Sequence, residues 1–291
     1  MPSLIEPPRI PSPIRNLILD MDGVLWNGET PAPGLQEFFA VLESRAIGYV
    51  LVTNNSTRNA RQYADKLSRF GVSVPAARIL TSGEATALLV ATDYPQGTSV
   101  YVVGEQALRE ALSARGFEVM DRDDFDTAAS KVPLVVVGLD RELTYSQLAR
   151  ASALVAAGAR FVGTNPDTSL PVAGGTAPGA GALLAAITAA TGVEPEIVGK
   201  PRPLLFREAL RRLGSTPETT AVVGDRLDTD IAGGRAEGFH TILVLSGVTD
   251  PALLAASEVE PDQVFGDISD LATALSYRSD SRSSLVQGAG S

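Results

Sequence analysis

The sequence predicts a largely parallel α/β fold, one core interrupted by an α/β insertion. Short apolar runs alternate with longer amphipathic segments, the pattern of strands joined by crossover helices. A second block with its own strands and helices begins near Thr92, and the first pattern resumes after Gly192. With 291 residues, 44% hydrophobic and 5% aromatic, the chain can fill one large or two modest domains with aliphatic, alanine-rich cores.

Residues 1–13 carry five prolines and read as an extended lead. The core, predicted over 14–91 and 193–277, opens with the apolar run 17–19 as a buried strand. A helix over 34–45 follows, with Pro33 near its first turn, then a strand over 49–52. The next helix, 59–70, is closed by Gly71, and a further helix over 84–91 runs to the Tyr94-Pro95-Gln96-Gly97 turn. The insertion, predicted over 92–192, reads as strand 100–103, helix 105–115, strand 134–137, helix 145–157, strand 161–162 and helix 180–190. Back in the core come strand 197–198, helix 203–213, strand 221–223, helix 229–237, strand 241–245 and a last helix at 271–275. The Ser- and Gly-rich stretch 278–291 has little to bury and is predicted to be disordered.

Composition narrows the chemistry. A net charge of −10 argues against a nucleic-acid backbone binder, whose affinity rests on clustered Lys and Arg. Cysteine is absent, which excludes disulfides, thiol nucleophiles and thiolate metal sites. With His240 as the single histidine, a multi-histidine metal site is excluded as well. No apolar run is long enough to span a membrane, and no signal-peptide core appears, so a cytoplasmic location is expected. The chemistry here must run on oxygen ligands and amines.

Four polar clusters each follow a predicted core strand: Asp20-Met21-Asp22-Gly23, Thr53-Asn54-Asn55-Ser56, Gly199-Lys200-Pro201 and Gly224-Asp225-Arg226-Leu227-Asp228-Thr229-Asp230. In a parallel sheet, ligands bind outside the carboxyl ends of the strands, so all four would face one crevice. Paired carboxylates call for a cation or a shared proton. Asp20, Asp22 and Asp225 offer hard oxygen ligands that suit Mg²⁺. Thr53 and the amides after it can hold phosphate oxygens. Lys200, one of three lysines in the chain, adds a compact positive charge. Each cluster also has a plainer reading: an Asp-Gly turn, a polar turn before the 59–70 helix, and an exposed loop lysine. Asp228 reads as the cap of the 229–237 helix, Asp230 as a first-turn acid or a holder of Lys200 or the metal waters, His240 as structural, and Trp26 as packing for its loop or as a lining of the crevice.

Together these clusters resemble, in order, the four motifs of the haloacid dehalogenase superfamily of aspartyl-phosphate phosphatases. The run Asp20 to Trp26, Thr53-Asn54-Asn55, Thr164-Asn165-Pro166-Asp167 and Pro178-Gly179-Ala180-Gly181 are most similar to its NagD-like, nitrophenyl-phosphatase subfamily. The resemblance implies a Rossmann-like parallel-sheet core domain with an inserted α/β (C2-type) cap domain. It implies a Mg²⁺-dependent phosphomonoesterase with Asp20 as nucleophile and Asp22 as general acid/base. Mg²⁺ would be held by Asp20, the Asp22 carbonyl and Asp225; Gly23, Thr53, Asn54, Asn55 and Lys200 would hold the phosphoryl group, with Asp230 behind them. The cap loop Thr168, Ser169 and Leu170 would meet the leaving group, and its lack of a cation serves a strongly anionic substrate poorly unless Arg141 or Arg160 elsewhere in the cap contributes. Small phosphorylated metabolites are the expected partners, with no nucleic acid, no membrane, and a homodimer paired through the cap. Two further readings use the same residues: a phosphotransferase or phosphomutase, and a silent metabolite-binding protein on this fold.

Overall fold

The computed structural model describes residues 10, 11, 13–123, 128, 131–172 and 174–277. The predicted lead is thus described at residues 10, 11 and 13, and the predicted disordered tail over 278–291 lies outside the described residues. Among the described residues, no helix is long and apolar enough to cross a membrane.

The chain begins with β1 (Asn16–Leu19), a short hairpin of β2 (Trp26–Asn27) and β3 (Thr30–Pro31), α1 (Leu35–Ser44), β4 (Gly48–Thr53), α2 (Ala60–Arg69), β5 (Ile79–Thr81) and α3 (Ser82–Asp93). A second unit follows: β6 (Ser99–Val103), α4 (Gln106–Ser113), β7 (Glu118–Val119), β8 (Leu134–Val137), α5 (Tyr145–Ala156), β9 (Arg160–Gly163), β10 (Ser169–Val172), β11 (Gly175–Pro178), α6 (Ala180–Thr191) and β12 (Glu196–Ile197). The chain then returns through α7 (Pro203–Leu213), β13 (Thr220–Gly224), α8 (Ala232–Ala236), β14 (His240–Val244), α9 (Pro251–Ala256), β15 (Gln263–Phe265) and α10 (Ile268–Ser276).

Two parallel sheets result. The core sheet has the order β15-β14-β13-β1-β4-β5, and the second sheet the order β12-β9-β8-β6-β7. Successive strand residues point to opposite faces, and the core strands use both. Leu17, Leu19, Tyr49, Leu51, Ala221 and Val223 enter one apolar cluster with α1, α2 and α10. Ile18, Val50, Val52 and Val222 enter another on the opposite face. That second cluster also holds Val100, Val102, Leu134 and Val136, so the two sheets share buried apolar contacts through α3, α4 and α7. Strands covered on both faces read as continuous apolar runs, which is why they were visible in the sequence.

One expectation changes. The sequence predicts strand 197–198 as the third core strand, but β12 pairs with β9 at the edge of the second sheet. The polar cluster at Lys200 therefore reaches the crevice from the second sheet's edge, not from a core strand end. The predicted 229–237 helix also begins differently: residues Leu227–Ile231 form a π-helical turn before α8, with no side-chain cap.

Candidate active site

The strand ends converge on a cavity of about 570 Å³ between the two sheets. Asp20 continues β1 by donating its N–H to the Val223 carbonyl at 2.9 Å. The chain then turns sharply, burying Met21 and leaving Asp22 exposed to the cavity. Gly23 closes the turn at φ +84°, where a side chain would be strained, and a Cβ there would lie 2.3 Å from Asp225 Oδ2. Glycine is required at this position on both counts.

Lys200 is the electrostatic centre. It is 3% exposed, and its Nζ donates to Asp20 Oδ1 at 2.5 Å and to Asp230 Oδ1 at 2.7 Å. Burial alone would lower its pKa, but Asp20 and Asp230 outweigh that and hold it above the ordinary lysine value. Burial raises Asp20 well above the usual carboxylate range; Lys200 opposes the rise, while Asp230 and Asp225 add to it. Burial, then Asp230, pushes Asp225 up to about 7. Three carboxylates crowd one ammonium, an arrangement with room for a further positive charge.

A metal fits here. Asp20, Asp225 and Asp230 each offer an oxygen, and these atoms lie within 4.8 Å of one another. Asp225 Oδ2 accepts from the Val248 N–H at 2.7 Å, whereas its buried Oδ1 has no partner among the described residues. A buried orphan acceptor is the mark of a missing cation or water. Asp230 is less available, since Oδ1 takes Lys200 and Oδ2 takes the Arg226 N–H at 3.2 Å. The donor set is all oxygen, as Mg²⁺ prefers.

The second cluster is placed in the cavity with a different set of bonds from a free phosphate cradle. Asn54 Oδ1 accepts the Lys200 N–H at 2.7 Å, and its Nδ2 donates to the Lys200 carbonyl at 3.0 Å and to Asp167 at 3.3 Å. Its own carbonyl accepts from Asn165 Nδ2 at 2.8 Å. Asn54 thus ties β4 to the Lys200 segment and to the second unit. Thr53 Oγ1 accepts the Asn55 N–H at 3.0 Å, and the Asn55 side chain caps the turn at Thr57. Ser169 and Leu170 line the cavity from the β10–β11 hairpin, while Thr168 is exposed and does not.

Several lining residues carried no assigned role in the sequence reading. Asp167 faces the cavity with its pKa raised by burial, and Arg226 lies opposite it from the core. Arg226 Nε and Nη2 pair with Asp228 at 3.1 and 2.8 Å, which is what Asp228 does in place of capping a helix. Arg141 and Arg160 pair with Glu105, and with Asp93 and Glu196, away from the cavity lining. Both Asp167 and Arg226 sit inside quoted motifs, so their position beside named site residues was the available signal. His240 lies at the start of β14 beside Gln263, in keeping with a structural role.

Comparison with known proteins gives a consistent result. A family model described as haloacid dehalogenase-like hydrolase matches residues 17–118, and one described as HAD-hydrolase-like matches residues 197–271. The acid sugar phosphatase of Staphylococcus saprophyticus is 37% identical over 254 residues, covering 87% of this chain and 95% of that protein. NagD from E. coli K-12 superposes with a TM-score of 0.78 at 35% identity, covering 88% of this chain and 97% of that one. The glycerol phosphate phosphatase of Mycobacterium tuberculosis, in complex with magnesium, superposes with a TM-score of 0.79 at 32% identity, covering 89% and 76%.

Proposed function

This chain belongs to the haloacid dehalogenase-like hydrolases, in their NagD-like phosphatase branch, and from that premise we propose that it hydrolyses small phosphorylated metabolites through an aspartyl-phosphate on Asp20. The enzyme is a phosphoric-monoester hydrolase, and sugar and glycerol phosphates, for which two of its relatives are named, are the substrate class proposed for it. The observation that carries the mechanism is the Lys200 ammonium bonded to Asp20 in a buried cluster.

The Asp20 carboxylate attacks phosphorus, and its new P–O bond forms as the ester P–O bond breaks. Asp22, as the general acid, gives a proton to the departing oxygen. Asp22, now a carboxylate, takes a proton from water as that water attacks phosphorus, releasing phosphate and restoring Asp20. Lys200 keeps Asp20 aligned and offers charge to the phosphoryl oxygens in a pocket lined by Gly23, Thr53, Asn54 and Asn55, although the Gly23 N–H is already given to the Trp26 carbonyl. Mg²⁺, held by Asp20, Asp225 and the Asp22 carbonyl, would supply charge neutralisation to the phosphoryl group. Asp230 supports Lys200 from behind.

At the leaving-group end, Arg226 is already paired with Asp228, and Asp167 adds a second negative charge. That balance favours neutral, hydroxyl-bearing leaving groups over a carboxylate or second phosphate. The reading also includes cytoplasmic residence and a homodimer through the inserted unit, whose exposed Tyr145 and Val172 give it apolar surface; sedimentation velocity distinguishes dimer from monomer.

The test is phosphate release from a panel of sugar, polyol and aryl phosphates with Mg²⁺, beside Asp20→Asn. Wild-type release with a loss of more than about 1000-fold in the variant is expected. Turnover surviving in Asp20→Asn would remove the nucleophile.

A further inference from the structure

Trp26 is completely buried, yet its one polar atom is spent on the cavity. Its Nε1 donates to Asp22 Oδ1 at 2.8 Å. Among the described residues this is the hydrogen bond that the Asp22 side chain makes, and the rest of that carboxyl is exposed to the cavity. A buried indole N–H holds its acceptor firmly, because an unpaired donor inside the protein is costly.

The indole itself cannot easily move. Tyr63 stacks on it with ring centroids 6.0 Å apart and planes 14° from parallel, and Phe70 lies against it at 6.2 Å. Lys66 Nζ sits 4.2 Å from the ring centroid and donates to the Gly28 carbonyl at 2.7 Å. Tyr63 and Lys66 both project from α2, whose start is fixed by a reciprocal capping box between Asn59 and Gln62. The Trp26 carbonyl accepts the Gly23 N–H at 2.8 Å, closing the same turn from the backbone. One helix therefore locks the ring, and the ring holds one oxygen of an otherwise unrestrained carboxyl.

We propose that Trp26 is a positioning residue for proton transfer: its N–H fixes Asp22 Oδ1 so that Oδ2 meets the ester oxygen that leaves. The inference rests on the phosphatase reading above. It makes a prediction that simple packing does not. An alkoxide must be protonated as it leaves, whereas 4-nitrophenolate leaves well without a proton. Loss of the N–H should therefore injure alkyl esters selectively.

The experiment compares kcat/KM, which reports the first, Asp20-phosphorylating step, for glycerol phosphate and 4-nitrophenyl phosphate. Trp26→Phe keeps the stack and deletes the N–H. It should lower the glycerol phosphate value by about tenfold or more and the nitrophenyl value by less than about threefold, general-acid contributions being roughly 10²–10⁴ in full. In an Asp22→Asn background the same substitution should add no further selective loss. Because Trp26 is the single tryptophan in the chain, replacing tryptophan throughout by benzothienylalanine puts sulfur in place of the N–H at that site alone. This second variant keeps the bicyclic ring and answers the question if Trp26→Phe does not fold. Equal losses on both esters, or none on either, would overturn the proposal. A wild type that turns over neither ester would overturn the phosphatase reading with it, and a wild type active on both separates the two.

Discussion

At Lys200 a buried ammonium lies between the half-buried Asp20 and the buried Asp230, so the residue has an electrostatic role even before substrate arrives. Removing one partner of a buried ion pair leaves the other charge uncompensated, at about 3–5 kcal/mol. We expect Lys200→Met, measured by chemical denaturation without added metal, to lose stability of that order as well as turnover. Asp225 invites a separate measurement, because its Oδ1 is buried and unpartnered. Asp225→Asn should weaken Mg²⁺ binding by at least about tenfold in calorimetry, given that even residues behind metal ligands matter 10–100-fold. The acids and the lysine were legible in the sequence because each is an unusual residue for the end of an apolar run. The role of Asn54 was not, since its partners, Asp167 and the Lys200 backbone, are 113 and 146 residues away. Spacing along a chain carries no information about such distant pairs.

The strands read well, and for a physical reason: both faces of β1, β4 and β13 are covered, so their apolar runs are uninterrupted. Elements with little to bury were harder. β5, β7 and β15 are short edge strands, and the β10–β11 hairpin carries mostly exposed residues. Its Gly174-Gly175 pair was the usable signal, glycine being the usual hairpin-turn residue. β12 reads correctly as a strand, but its assignment to the core sheet fails, because two residues do not choose between neighbours. At the other end of the core sheet, Asp262 joins β14 to the segment before β15. Its carboxylate accepts the Thr241 N–H at 2.7 Å and the Thr241 hydroxyl at 2.8 Å. Partial burial pulls its pKa up, but these bonds outweigh that and the net shift is downward. A depressed folded-state pKa contributes stability above the unfolded carboxylate value of about 3.9 and loses it as pH falls through the folded value. Asp262→Ala should thus lower the melting temperature at pH 7, and the difference from wild type should shrink as pH falls below the unfolded carboxylate value of about 3.9 and vanish only below the lower folded value.

The cavity belongs to neither sheet alone. The core supplies Asp20, Asp22, Asp225 and Arg226, and the second unit supplies Asp167, Ser169 and Leu170. Bonds across this junction are polar, from Asn165 to the Asn54 carbonyl and from Thr164 Oγ1 to Ser56 Oγ at 3.3 Å. Behind them the shared apolar cluster of Val52, Leu80, Val100 and Leu108 holds the two units together. On the proposed mechanism, chemistry and selectivity are separable: one unit would carry the reacting groups, and the other would bound the space for the leaving group. If so, charge placed on the hairpin should change which ester is used without touching the reaction. Leu170→Arg puts a guanidinium on the cavity wall, at a position where the sequence has no cation. Against a leaving group bearing a carboxylate or second phosphate, one new partly buried pair is worth roughly 1–2 kcal/mol, or about tenfold. We expect kcat/KM for such doubly anionic esters to rise by that factor relative to neutral polyol phosphates. Turnover of 4-nitrophenyl phosphate should hold within about threefold, since its leaving group carries no charge for the arginine to meet. A uniform change across all three ester classes would mean that the hairpin acts on access or folding, and that selectivity is set by the core.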